Sequence, residues 1–260
     1  MKFKILRHAL STLQHDLGAT LRILVVPYAL SQVVFFLPLF LLVSSASRPS
    51  LLTPDRQGAL AEAGPWMTFV LIFVSGMVLA WAAVAWHRYV LRNDRSTPGG
   101  QAFEKGRMIG YFGRTLLIGF LIVFVMAIFM MLVMAVGFAE ILKPFGSNPA
   151  EPSFSTLIWA IALGILVTYL STRHSLILPA RALDETMSLS QSWRETASAR
   201  ADILGFAVIL ILLQNLTPLL PLAGLAAFVM LNLASLIGIA LGIAMLTSLY
   251  GHLIEGRSFD

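Results

Sequence analysis

The chain has 260 residues, of which 58% are hydrophobic and only 12% charged, and its mean hydropathy is +0.83. Soluble domains carry about a quarter charged residues, so this composition excludes a soluble globular fold and points to a chain whose apolar surface faces lipid. The formal charge of +5 does not point to nucleic acid, because no segment outside the apolar runs is long enough for a recognition module.

The N-terminal segment reads as an amphipathic helix. Phe3, Leu6, Leu10, Leu13 and Leu17 fall on one stripe, with Lys2, Lys4, Arg7, His8, Gln14 and His15 on the other faces, the pattern of a helix lying in the headgroup plane. A first span is expected from Leu21 to Val43, interrupted by Pro27 and Pro38. The small residues Ser44 to Ser47 resemble a cleavage site, but the preceding apolar run is too long for a signal peptide. It reads as a retained span. Ser44 to Gly64 reads as an irregular outer connection, and the second span runs from Pro65 to Tyr89, closing on Trp86-His87-Arg88-Tyr89. Gln101 to Gly113 is a weak amphipathic helix before the third span, Thr115 to Leu142. Lys143 to Ser153 is again irregular, and the fourth span covers Phe154 to Ser171, with Tyr169, Arg173 and His174 at its end. Leu189, Trp193, Ala197 and Ala201 form another amphipathic stripe before the fifth span, Ile203 to Leu220. The sixth runs from Leu225 to Leu249 and is followed by Tyr250-Gly251-His252. The link between the last two spans, Thr217 to Gly224, is uncharged, so a re-entrant hairpin there stays open.

The expected fold is therefore an all-α polytopic transmembrane bundle of about six spans in a single domain. With the N-terminus inside, fifteen of the eighteen Lys and Arg face the cytoplasm, leaving Arg48, Arg56 and Lys143 outside; the positive-inside rule would be violated by the reverse orientation. Both termini are then cytoplasmic. An interfacial helix, a span, an outer connection and a returning span recur three times, each returning span ending in an aromatic residue close to a histidine. This predicts three helical hairpins with amphipathic helices on the cytoplasmic side, although interface pressures alone generate part of such a pattern.

Few residues invite a functional reading. His87, His174 and His252 could carry protons or bind a metal, but no carboxylate lies at ligand spacing near the first two, while Glu255 follows His252 by three. With Arg88, Arg173, Arg181 and Trp193 they read more simply as interface anchors. The span interiors hold no ionisable group, which argues against ion-coupled pumping. Their polar residues are the amides Gln32, Gln214, Asn215 and Asn232, expected to bond across helices or, failing that, to line a polar pocket. Ala234, Gly238 and Gly242, Gly76 and Ala80, and Ala160 and Gly164 are spaced by four and mark helix contacts. Met126, Met130, Met131 and Met134 in the third span read as packing or lipid-facing residues. No cysteine is present, which removes disulfides and thiolate sites. No phosphate-loop, nucleophile-elbow or zinc-protease motif occurs, and the acid pair Asp184-Glu185 reads as solvated or helix-capping. No cofactor or metal is expected.

The stretches Trp86-His87-Arg88-Tyr89-Val90-Leu91, Arg173 to Asp184 and Ser188 to Thr196 together resemble a broad group of uncharacterised six-span bacterial inner-membrane proteins. That group is similar to the membrane domain preceding the catalytic domain of some glycerophosphodiester phosphodiesterases. The resemblance implies an inner-membrane address and no catalytic residue. The expected role is an accessory or organising subunit, not an enzyme, with anionic headgroups and other membrane proteins or copies of itself as partners and no nucleic acid; the alternative is a transporter or lipid-handling protein for a neutral or amphiphilic substrate.

Overall fold

In hydrocarbon a peptide group has no water to bond, so an apolar run that enters it satisfies its backbone as helix. The computed structural model follows this throughout: it describes residues 4–46, 54–93, 104–135, 154–216 and 224–258, and among them every regular element is helical and none is a strand. The elements are α1 (Lys4–His15), α2 (Leu17–Thr20), a π-helical stretch (Leu21–Val25), α3 (Val26–Ala46), α4 (Pro54–Arg92) and α5 (Lys105–Ala135). They continue with α6 (Phe154–His174), α7 (Ile177–Ala182), α8 (Leu189–Glu195), α9 (Arg200–Leu216) and α10 (Gly224–Leu253). Five stretches are long and apolar enough to cross a membrane: Leu17–Pro38, Gly64–Arg92, Lys105–Phe129, Ile158–Ala182 and Gly224–Leu253. A sixth is added if α8 and α9, bent by 100° at their junction, count as one broken span. The described chain divides into two units, residues 14–112 and residues 1–13 with 113–260.

In the first unit α3 packs along α4. The prolines expected to interrupt the first span do not break it. Pro27 supplies no N–H, and the turn before it widens to a π register in which the Val26 N–H bonds the Leu21 carbonyl, so the helix absorbs the missing bond rather than ending. Pro38 lies inside α3. The Ser75 hydroxyl donates to the Ser31 carbonyl at 3.2 Å across the α3–α4 contact. Gly76 makes room for the Phe112 ring, which a Cβ there would meet at 2.8 Å, and Phe112 stands edge-on to Phe73 at 4.9 Å.

One expected connection is helical instead, and one expected interfacial helix merges with its span. α4 begins at Pro54, where a first-turn proline costs nothing because that N–H has no helical partner, and it passes through Pro65. Residues 54–64 are therefore not an irregular loop. Likewise α5 runs unbroken from Lys105, so Lys105 to Gly113 is the first part of the third span's own helix and not a separate interfacial helix. The other outer connection, 143–153, and the link at 217–223 lie outside the described residues.

In the second unit α6 packs along α9, and α9 along α10. Here the small residues do what their spacing promised. A Cβ at Gly164 would stand 2.9 Å from Ile211 Cδ1, and one at Gly238 would stand 2.9 Å from Leu210 Cδ1. The backbones of α6 and α10 thus approach α9 by receiving its branched side chains. Gly242, on the same stripe, meets nothing within 4 Å. The α6–α9 pairing is more extensive than any α5–α6 pairing among the described residues.

α7 ends in a Schellman turn. The Glu185 N–H bonds the Ala180 carbonyl at 2.8 Å, the Asp184 N–H bonds the Arg181 carbonyl at 3.2 Å, and Asp184 takes φ +64°. Half of the acid pair is therefore a helix terminator, as one reading of the sequence had it. The left-handed conformation favours glycine over any residue with a Cβ. We expect Asp184→Gly to hold or raise the thermal midpoint in detergent. Asp184→Val should lower it by about 1–2 kcal/mol of stability. Equal behaviour of the two variants would show that the turn is not formed.

Candidate functional site

Within each unit, taken separately, polar side chains gather at one end of the helices, and they bond mainly to each other. In the first unit the Tyr89 hydroxyl, at the end of α4, donates to the Asp16 carboxylate, while the other Asp16 oxygen caps α2 by accepting from the Ala19 N–H at 2.9 Å. His87 is fully buried, its Nε2 standing 3.2 Å from the Tyr111 hydroxyl at the start of α5. Arg107 is also buried and pairs with Glu104 at 2.8 Å. Arg88 is half-buried.

In the second unit the Tyr250 hydroxyl, at the end of α10, donates to the Glu185 carboxylate. Arg114, where α5 enters its apolar run, donates to the Ile177 carbonyl at 3.1 Å. The densest cluster surrounds Arg173, only 5% exposed. Its Nε–H donates to Thr196 Oγ1 at 3.1 Å, one terminal nitrogen to the Trp193 carbonyl at 2.5 Å, and the other to the Tyr169 hydroxyl at 3.4 Å. The guanidinium carbon lies 3.5 Å from the Trp193 ring centre and 5.7 Å from that of Tyr169. The Ser192 hydroxyl donates to the Arg173 carbonyl at 2.7 Å and accepts the Leu176 N–H at 3.2 Å. No carboxylate faces Arg173 among the described residues. Neutral oxygens and two aromatic faces hold this cation, and the fork geometry of arginine makes that arrangement reachable.

The structure brings Arg173, His174 and Trp193 together: the His174 ring lies 5.0 Å from the Trp193 ring, and its Nδ1–H donates to the Leu170 carbonyl at 2.8 Å. It does not make the three aromatic–histidine ends alike. His87 is buried, His174 half-buried and His252 exposed, the last with Nδ1 donating to the Arg257 carbonyl at 3.0 Å. No group of three His, Asp or Glu among the described residues could hold a metal ion. Arg181 stands 3.8 Å from Asp184.

Two of the four amides make a local bond. Asn215 donates to the Ile211 carbonyl at 2.9 Å and Asn232 to the Phe228 carbonyl at 2.8 Å, each within its own helix. A backbone carbonyl four residues back is always within reach, and such a bond needs no partner helix. Gln214 is exposed, and Gln32 is half-buried in the other unit, so the four do not meet in a shared cluster within either unit.

The stripes preceding the spans are also redrawn. α8 ends at Glu195, so Leu189, Trp193, Ala197 and Ala201 do not share one helix. The buried face is Ser192, Thr196, Ala199 and Ile203, and Trp193 is 36% exposed. Hydroxyls four apart, beside an arginine looking for acceptors, were the signal for that face. On α1, Ile5, Leu6 and Ala9 are buried within the second unit while Leu10 is exposed. Of the expected stripe Leu6 is buried while Leu10 and Leu17 are exposed, and the buried face takes in Ile5 and Ala9, which that stripe left out. Asp16 was overlooked as well, although it is the only carboxylate before Asp55.

Burial and the positive charge of His252 hold the His8 imidazole on α1 below its ordinary value. The folded state therefore favours neutral His8, and the detached helix binds more protons. Stability is full above the ordinary value of about 6.5 and is lost as pH falls below it. Amide protection factors in residues 4–13, taken against intrinsic exchange at each pH, should fall between pH 7.5 and pH 5, and His8→Gln should flatten that dependence. A wild-type profile that tracks only intrinsic exchange would remove the linkage.

Five or six helices long and apolar enough to cross a membrane, in a chain poor in charge, are the marks of a multi-pass α-helical membrane protein. Comparison with protein-family models, with curated proteins and with solved structures found no match for the chain.

Proposed function

We propose that this is a non-enzymatic protein of the bacterial inner membrane, an accessory or organising subunit that accompanies other membrane proteins. The observation that carries the reading is the internal use of its polar groups. Arg173, Asp16, Tyr89, Glu185, Tyr250 and His87 bond to one another or to nearby backbone and hydroxyls, and the span amides Asn215 and Asn232 bond their own helices. Side chains so engaged hold helices together and leave little to grip a polar substrate. The likeness of the Trp86–Leu91 and Arg173–Thr196 stretches to the six-span bacterial group supports the address.

Both termini lie in the cytoplasm on this reading, since the cations of the chain then obey the positive-inside rule. The six spans form three hairpins, and each has one polar tie at its cytoplasmic end: Asp16 with Tyr89, Arg114 with the Ile177 carbonyl, and Glu185 with Tyr250. Extraction in mild detergent at native expression, followed by affinity capture, tests the role. A stoichiometric membrane-protein partner is expected, and a lone monodisperse species would overturn it.

A further inference from the structure

One end of the second unit carries cations that nothing in the described protein neutralises. Lys4 and Arg7 on α1, Arg194 on α8 and Arg200 at the start of α9 are all exposed, and none forms an ion pair among the described residues. Arg200 does no more than donate to the Ala197 carbonyl at 2.9 Å. These positions belong to the same end. α8 packs on α6 and α7 on α10, Glu185 ties the α7–α8 segment to Tyr250, and His8 on α1 feels the charge of His252. The acids here are occupied or withdrawn: Glu185 with Tyr250, Glu255 with Arg257 at 2.6 Å, Asp184 near Arg181, and Glu195 and Asp202 half-buried.

We propose that Lys4, Arg7, Arg194 and Arg200 form a surface for the phosphates of anionic phospholipids. Three features favour lipid over an acidic protein. α8 is bent 100° from α9, so when α9 crosses the bilayer α8 lies across its end, in the headgroup plane. Trp193 is partly exposed between Arg194 and the buried Arg173, an indole at the level where interfacial tryptophans sit. Beyond the cations the helices turn at once to exposed apolar side chains, Leu204 and Ile209 on α9 and Leu10 on α1. Phosphate above and hydrocarbon below is the profile of a leaflet. The proposal rests on the membrane reading above but not on the accessory role.

The test uses the full chain purified in a neutral detergent. Phosphatidylglycerol or phosphatidylcholine is added, and retained lipid is read by native mass spectrometry alongside the thermal midpoint. Wild type should retain phosphatidylglycerol at least tenfold over phosphatidylcholine and gain several degrees from it, an effect that weakens with salt as charge contacts do. The variant K4Q/R7Q/R194Q/R200Q should lose the preference while keeping its midpoint in phosphatidylcholine. Should it fail to fold, Arg194→Gln and Arg200→Gln singly, each with a reduced preference, serve instead. Equal retention of both lipids by wild type, or an undiminished preference in the variants, overturns the proposal. Loss of a copurifying protein from the variant, with no lipid preference in wild type, would assign the surface to an acidic protein. A failed copurification experiment leaves the lipid result untouched.

Discussion

Gly164→Leu is expected to unfasten α6 from α9 and to cost about 2–3 kcal/mol. A single Cβ at that position already meets Ile211 Cδ1 at 2.9 Å, and leucine adds three more carbons along the same line. In a bilayer two helices gain little by hiding from lipid, which is as apolar as they are, so their association depends on close packing. The loss should appear as a lower thermal midpoint in detergent and as faster amide exchange in α6 and α9 together. Ile211→Ala in the Gly164→Leu background should restore part of it, giving a coupling beyond additivity. Gly242→Ala supplies the opposite sign. Nothing stands within 4 Å of a Cβ there, and alanine is better than glycine in a helix by about 1 kcal/mol in soluble hosts. If Gly242→Ala were the more damaging change, the packing of α9 between α6 and α10 would be wrong.

The same two glycines show what could be read from the sequence. Spacing by four identified Gly164, Gly238 and Gly242 as contact candidates, but spacing records only that a face is small. Whether a neighbour fills it depends on a side chain distant in the chain, Ile211 or Leu210, and periodicity is blind to that. The apolar runs were legible because hydrocarbon imposes length and composition directly, and all six are helical over their described residues, the third as far as Ala135 and the fifth as far as Leu216. Helix ends were less so. α4 and α5 extend past their apolar limits because the backbone continues to bond itself wherever the chain allows, and Pro54 is as good at starting a helix as Pro65. Of the polar positions, Arg173 and Trp193 were singled out as interface anchors, yet their mutual contact was not foreseen. Ser192 and Thr196 look like ordinary hydroxyls until the residue that needs them as partners is known. The lone acid Asp16 was in plain view, and only Tyr89, far along the chain, explains it.

Arg173→Ala should release α8 from the end of α6 at a cost of about 3 kcal/mol. Opposing contributions set that figure. Hydrogen bonds to a charged group are worth about 1.5–3 kcal/mol each and a desolvated cation–π contact about 2, while removing a buried charge recovers several kcal/mol of desolvation. The balance favours the wild type because the guanidinium has three oxygen acceptors and two rings, with the Trp193 ring centre 3.5 Å away. Arg173→Lys should recover less than half of the loss, since an ammonium cannot span Thr196, Trp193 and Tyr169 at once. Arg173→Met restores apolar contact with the indole but leaves the Trp193 carbonyl without its donor, so it should fall between the two. The discriminating readout is local: amide exchange across residues 189–199 should accelerate in the alanine variant, while the core of α4, in the other unit, keeps its protection. The Trp193 emission should shift to the red as the ring loses its cover. If exchange rose equally throughout the chain, Arg173 would be a residue of general stability. If neither region changed, α8 would be held by its hydroxyls alone, and the 100° bend that lays it across the end of α9 would owe nothing to the buried cation.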